Sequence, residues 1–206
     1  LDEVAVICGL KACGIIRSIS LGHSIYVGIV KSGLDQNSTV GNMLVDMFGK
    51  CGLLEEAQQV FDKLLSRDNV SWSSLMMGYA QHGQGHESFS CFERMLSEGF
   101  SPDAVTFTCI LKACGNIQSA EKGIQIHYDV VCRGLLQKDI VLGTALVDMY
   151  CKCCALDKAQ EVFEQLPVRD VVTWNALIGG YVQDGFSDEA LKCFRKMLDE
   201  GVSPQA

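Results

Sequence analysis

The feature that most limits what this chain can fold into is that it repeats itself. The stretch running from Asn69-Val70-Ser71-Trp72 to Ser101-Pro102-Asp103 returns as Val171-Val172-Thr173-Trp174 to Ser203-Pro204-Gln205, and Trp174 stands 102 positions after Trp72. Leu44-Val45-Asp46-Met47 returns as Leu146-Val147-Asp148-Met149 at the same offset. Leu10-Lys11-Ala12-Cys13-Gly14 returns as Leu111-Lys112-Ala113-Cys114-Gly115 at 101, so one residue is inserted in the second copy. A fixed internal period is the mark of a chain assembled from stacked units, each contacting its neighbours, and not from one closed core.

Each copy divides again. A trio of small, aromatic and aliphatic residues recurs as Ala57, Phe61, Leu64, then Ser88, Phe92, Met95, then Ala159, Phe163, Leu166, then Ala190, Phe194, Met197. Spacings of four and three place each trio on one helical face. Ahead of it runs a second stripe, Trp72, Leu75, Met76, Tyr79 and its copy Trp174, Leu177, Ile178, Tyr181, which is the apolar face of a preceding helix. Gly83 and Gly185 suit the turn between the two helices, Gly99 and Gly201 suit the end of the second, and Pro102 and Pro204 stop its continuation. The expected architecture is therefore all-α: an α-solenoid of stacked helix–turn–helix repeats. Its expected units are 3–37, 38–68, 69–103, 104–139, 140–170 and 171–205, forming one solenoid over 1–206, with Leu1-Asp2 as the tail of a preceding unit and Ala206 opening another.

Composition narrows the function. With 48% hydrophobic and 20% charged residues and only three prolines, the chain should be folded throughout. A net charge of −8 argues against gripping nucleic acid by bulk attraction to phosphates, so any such binding must be local. Eleven cysteines, an odd number spread through apolar helical patterns, read as reduced, buried thiols in a reducing compartment. No apolar run approaches the roughly 18 residues of a membrane span, and Leu1-Asp2-Glu3 opens neither a signal nor a transit sequence. Both ends read as cut from a longer protein.

Unit lengths of about 35, 31 and 35 residues in rotation match no array in which one length recurs. Together with Leu-Lys-Ala-Cys-Gly at 111–115, Leu-Val-Asp-Met-Tyr-Cys-Lys-Cys at 146–153, Val-Phe-Glu-Gln-Leu-Pro-Val-Arg-Asp at 162–170 and Val-Val-Thr-Trp-Asn-Ala-Leu-Ile at 171–178, they resemble the plant-type pentatricopeptide repeat family, in the subfamily that alternates long, short and standard units. The resemblance covers essentially the whole chain. It implies a mitochondrial or chloroplast protein that binds single-stranded RNA, one nucleotide per unit, usually to specify cytidine-to-uridine editing sites. It also implies partner proteins of the multiple organellar RNA editing factor group, packed on long units.

In such units the resemblance makes the fifth and last residues the readers of one base, with the second residue packed beside it. The second and fifth positions are three apart on the first helix and share a face distinct from the core stripe. They pair Val172 with Asn175, Val70 with Ser73, Val141 with Thr144 and Val105 with Thr108, while Thr39 beside Asn42 departs from the pattern. The implied base readers are Asn42 with Asp68, Ser73 with Asp103, Thr144 with Asp170 and Asn175 with Gln205; the long units contribute Ile7 with Asn37, which lacks a side-chain hydrogen bond at its first member, and Thr108 with Asp139. The family's pattern then expects the RNA stretch N-U-G-N-G-Y. The aspartates have a second reading, since each precedes a first helix and would cap its amino terminus in any helical repeat. Lys50 and Lys152 recur two turns beyond the base-facing residue, where either a phosphate contact or a solvated lysine fits.

No catalytic or cofactor chemistry is expected. Cys151 and Cys154 have a zinc-like spacing, but no second pair stands at a matching distance, and Cys153 falls where Cys51 falls in the first copy. Cys154 replaces Gly52 at the turn, which should strain it. None of His23, His82, His86 or His127 is followed two residues later by the glutamate a zinc deaminase needs, and His127 takes the helix-packing place of Tyr26. The chain is thus read as a non-enzymatic RNA-recognition module with no metal, no membrane and no small-molecule substrate. The alternative is a protein-interaction solenoid resembling tetratricopeptide arrays, which the acidic balance would suit.

Overall fold

The computed structural model describes residues 2–203, and every regular element among them is helical. The first helices of successive hairpins are α1 (Glu3–Ile16), α3 (Ser38–Cys51), α5 (Asn69–Gln81), α7 (Ala104–Asn116), α9 (Ile140–Lys152) and α11 (Val171–Gln183). The second helices are α2 (Ile19–Ser32), α4 (Leu54–Lys63), α6 (Gly85–Ser97), α8 (Ala120–Cys132), α10 (Leu156–Gln165) and α12 (Ser187–Asp199), with one 3-10 turn at Leu34–Gln36. The architecture is an α-solenoid of stacked helical hairpins. It divides into two compact units, 1–109 and 110–206, with the division inside α7.

Every first helix begins on a side-chain cap. Asp2, Asn37, Asp68, Asp103, Asp139 and Asp170 each accept a backbone N–H three residues on, at 2.8–3.2 Å. Such a cap satisfies one of the helix's orphan donors and is typically worth about 1 kcal/mol. The hairpins turn on left-handed residues. Glycine fills that conformation at Gly52, Gly83 and Gly185, whereas Arg17, Gln118 and Cys154 hold φ of 52°, 51° and 54° with a Cβ in place. The strain expected at Cys154 therefore has a backbone cause.

Within the first unit, α1, α3 and α5 pack side by side, each with its own second helix against it; in the second unit α9 and α11 do the same. The two stripes meet between hairpins. Phe61 of α4 meets Trp72 of α5 edge-on at 4.6 Å, and Phe163 of α10 meets Trp174 of α11 at 4.6 Å. An arginine closes each joint: Arg67 lies 5.0 Å over the Phe61 ring and reaches Glu98, and Arg169 lies 5.1 Å over Phe163 and reaches Glu200. Adjacent first helices also approach closely through glycine. A Cβ on Gly78 would stand 3.0 Å from the Gly49 Cα, and one on Gly180 would collide with the Cys151 thiol.

Three details depart from the sequence reading. Leu64 and Leu166 follow their helices as C-caps, because α4 and α10 are only ten residues long where α6 and α12 have thirteen. Phe194 is 38% exposed although its counterparts Phe61, Phe92 and Phe163 are buried. No disulfide forms among the described residues, but Cys8, Cys132 and Cys154 are exposed, so the thiols are not uniformly buried. Leu1, Pro204, Gln205 and Ala206 lie outside the described residues, and the expectations placed on them with them.

Candidate nucleic-acid interface

In each compact unit the second residues of neighbouring first helices are exposed apolar side chains, Val70 and Val105 in the first and Val141 and Val172 in the second. Val70, Val105, Val141 and Val172 are 54–62% exposed, against the general rule that valine is buried. In the first unit Val70 and Val105 wall a groove of about 340 Å³ whose lining includes Asn69, Ser73, Met77 and Asp103. Its lining combines apolar with hydrogen-bonding side chains, a combination suited to a flat heteroaromatic ring.

The fifth residues sit deeper than the sequence suggests. Asn42 and Ser73 are each only 5% exposed, held between adjacent first helices, while Thr108 and Thr144 are half-buried and Asn175 is exposed. The structure ties three of these residues to the aspartate ending the same unit. Asn42 Nδ2 donates directly to Asp68 Oδ1 at 3.1 Å, leaving Asn42 Oδ1 buried without a partner. Ser73 Oγ lies 3.3 Å from Thr106 Oγ1, which lies 2.8 Å from Asp103 Oδ1. Thr144 Oγ1 lies 2.7 Å from Thr173 Oγ1, which lies 2.9 Å from Asp170 Oδ1. The aspartates keep their capping bonds throughout, so capping and pairing coexist at Asp68, Asp103 and Asp170.

The bridging hydroxyl belongs to the third residue of the next first helix, a position the sequence reading did not single out. Its signal was present: a hydroxyl residue between valine and an aromatic in Val70-Ser71-Trp72, Val105-Thr106-Phe107 and Val172-Thr173-Trp174. Where that position is Leu142, Asp139 caps the Leu142 amide. Thr108 turns its hydroxyl back to the Ala104 carbonyl at 2.9 Å. Ile7 is half-buried, Asn37 caps the Val40 amide and Thr39 is exposed. Gln205, the proposed partner of Asn175, is not described.

The recurring lysines are neither free nor fully solvated. Lys50 Nζ lies 2.6 Å from Asp46 and Lys152 Nζ 2.7 Å from Asp148, one helical turn back in each case. A phosphate would have to compete with those carboxylates. Asp103 titrates below the ordinary carboxylate range: burial alone would raise it, but hydrogen bonds from the Thr106 amide, the Thr106 hydroxyl and the Asn69 amide outweigh that effect.

Elsewhere the reactive side chains are occupied with packing. Burial pushes the thiols of Cys91, Cys114 and Cys151 up to about 12, where they carry almost no thiolate. Cys151 faces Gly180, Cys153 reaches the Cys114 carbonyl at 3.8 Å, and Cys154 is exposed, so the three do not converge. Among the described residues no group of three potential ligands could hold a metal ion. His127 bonds the Tyr150 hydroxyl at 3.0 Å, and burial holds its pKa below the ordinary histidine value. No helix among the described residues is long and apolar enough to cross a membrane.

Comparison with known proteins follows the same repeats. The PPR repeat family model matches residues 67–116, and a PPR repeat model matches 42–69, 144–171 and 172–202, together well over half of the chain. The chain is 38% identical over 195 residues to a mitochondrial pentatricopeptide repeat-containing protein of Arabidopsis thaliana, covering 95% of this chain and 30% of the relative. It is 39% identical over 181 residues to a chloroplastic one from the same plant, covering 88% and 22%. The chain thus spans less than a third of the length of these relatives. Among solved structures, PPR10 in complex with an 18-nt psaJ RNA element superimposes with a TM-score of 0.67 at 17% identity, over 100% of this chain and 36% of that one.

Proposed function

The chain belongs to the pentatricopeptide repeat family, and we propose that it binds single-stranded RNA, one base per unit, as the recognition part of an organellar cytidine-to-uridine editing or RNA-processing factor. The observation that carries this reading is the groove between Val70 and Val105, whose lining includes Ser73 and Asp103. Two valines can sandwich a base while Ser73 and Asp103 hydrogen-bond its Watson–Crick edge, which only an unpaired base presents. The likeness to PPR10 bound to RNA supports the same use of the fold.

On this reading the units 3–37, 38–68, 69–103, 104–139, 140–170 and 171–205 each address one nucleotide, in the long, short and standard rotation. Asn42 with Asp68 reads uridine, Ser73 with Asp103 and Thr144 with Asp170 read guanosine, and Asn175 with Gln205 reads a pyrimidine. Thr108 with Asp139 is a weaker guanosine reader. Lys50 and Lys152 exchange their aspartates for phosphate as the strand arrives. The names of the relatives support action in the mitochondrion or chloroplast, and organellar editing factor proteins are the proposed partners.

Competition binding tests the reading. Single-stranded RNA carrying U-G-N-G should displace a labelled probe far better than the same sequence as a duplex. With only Lys50 and Lys152 proposed to meet phosphates, affinity should fall only gently with salt. Equal affinity for both forms would refute base reading, and failure of the protein to bind RNA would favour a protein-interaction solenoid.

A further inference from the structure

The hydroxyl chain at the groove, and its counterpart in the second unit, have a fixed direction. A carboxylate oxygen can only accept, so the 2.8 Å contact from Thr106 Oγ1 to Asp103 Oδ1 consumes the single hydroxyl hydrogen of Thr106. The 3.3 Å contact between Ser73 and Thr106 must then be donated by Ser73. The order Ser73 to Thr106 to Asp103 leaves Ser73 Oγ with lone pairs only. The same logic orders Thr144 to Thr173 to Asp170, through contacts of 2.7 and 2.9 Å. Thr106 and Thr173 are fully buried, so water cannot reverse either chain.

We infer that Thr106 and Thr173, the third residues of the following first helices, are positioning residues that hold the reader hydroxyls as pure acceptors and so select guanosine over adenosine. The inference rests on the RNA-reading function proposed above. Guanine presents two adjacent donors, N1–H and the N2 amino group, which suit the lone pairs of the hydroxyl and the carboxylate. Adenine presents an acceptor at N1, which an acceptor-only hydroxyl repels. If the threonine hydroxyl were absent, the hydrogen of Ser73 would be free to turn into the groove and meet adenine N1. Base choice would then depend on a side chain that need not touch the base.

The test uses single-stranded RNAs containing U-G-N-G in which the nucleotide facing residues 69–103 is each of the four bases. The unaltered protein should prefer guanosine to adenosine there by about tenfold, the scale of one good base contact. Thr106→Val keeps the shape, removes the hydroxyl and should erase most of that preference at this nucleotide while leaving its neighbours unchanged. Thr106→Ser restores the hydroxyl and should restore the preference. Thr173→Val should act in the same way at the nucleotide facing residues 140–170, and it serves as the deciding variant if Thr106→Val does not fold by circular dichroism. An unchanged guanosine-to-adenosine ratio in a folded valine variant overturns the inference alone. No base preference in the unaltered protein overturns the RNA-reading function itself, and the inference with it.

Discussion

Asn42 with Asp68 and Thr144 with Asp170 occupy the same place in successive copies of the repeat, yet they are joined differently. The asparagine spans the distance to its aspartate alone, at 3.1 Å, and the hydroxyl of Ser71 is left to complete a capping box with Asp68. The shorter threonine cannot reach, and the hydroxyl of Thr173 closes the gap. One residue type at one position, a small hydroxyl amino acid, therefore completes the capping box in one copy and bridges the fifth residue to the aspartate in the other. What decides its role is the length of a side chain on the neighbouring helix. The turns and helix contacts differ in the same paired manner: Gly52 against Cys154, and Gly49 against Cys151.

The largest expected effect breaks the helix contact. Gly180→Ala would drive a methyl group into the Cys151 side chain and should cost about 1–3 kcal/mol in denaturant unfolding, whereas Gly49→Cys, which copies the second arrangement into the first, should cost less. A similar cost for both would show that the two contacts are not equivalent. Exchanging the readers comes next. Asn42→Thr and Thr144→Asn should swap uridine and guanosine preference at their two nucleotides by about 1–3 kcal/mol, read by competition among the four bases, with melting temperatures little changed.

Cys154→Gly should stabilise the protein by about 1 kcal/mol, because it relieves a left-handed backbone that Gly52 already accommodates in the first copy. Thermal unfolding reads the sign, and destabilisation would mean that the exposed thiol makes a contact worth more than the strain. The smallest effect is electrostatic. Asp103 is held below its unfolded pKa, so its contribution is present above the unfolded value and is lost as pH falls through the folded one. Thr106→Val removes one of the bonds holding it down and should move the Asp103 carboxyl titration, followed by NMR, to higher pH. No movement would mean that the hydroxyl of Thr106 does not donate to Asp103.

Much of the fold was legible because it is periodic. The Trp72 and Trp174 stripes, the turn glycines and the aspartates before each first helix announce hairpins through spacing alone, and each has a local cause within a few residues. The proposed site is visible in the sequence only in outline, since valine followed three residues later by a polar side chain marks one face of a helix. What spacing could not convey is depth and connection. Asn42 and Ser73 look surface-facing on a helical wheel but are buried by the next helix. Their partners stand 26 and 33 residues away, at the end of the same unit for Asn42 and in the next first helix for Ser73. Lys50 and Lys152 read as available cations because their i−4 aspartates belong to the same recurring motif, and a recurring motif does not say which of its charges face each other.

If RNA is read as proposed, the exposed valines within each compact unit carry a consequence for the shape of the ligand. Packed helices stand about 8–10 Å apart, whereas nucleotides along a helical strand advance by about 3.4 Å. A strand read once per first helix must therefore be drawn out to more than twice its stacked rise, and each base loses contact with its neighbours in sequence. On the proposed reading, the aliphatic side chains at 70 and 105 in one unit, and at 141 and 172 in the other, stand where adjacent bases would have been. Affinity on such a surface is a contest between the strand's own stacking and its stacking on valine, so purine-rich targets that cling to themselves should bind more slowly than flexible ones of equal complementarity.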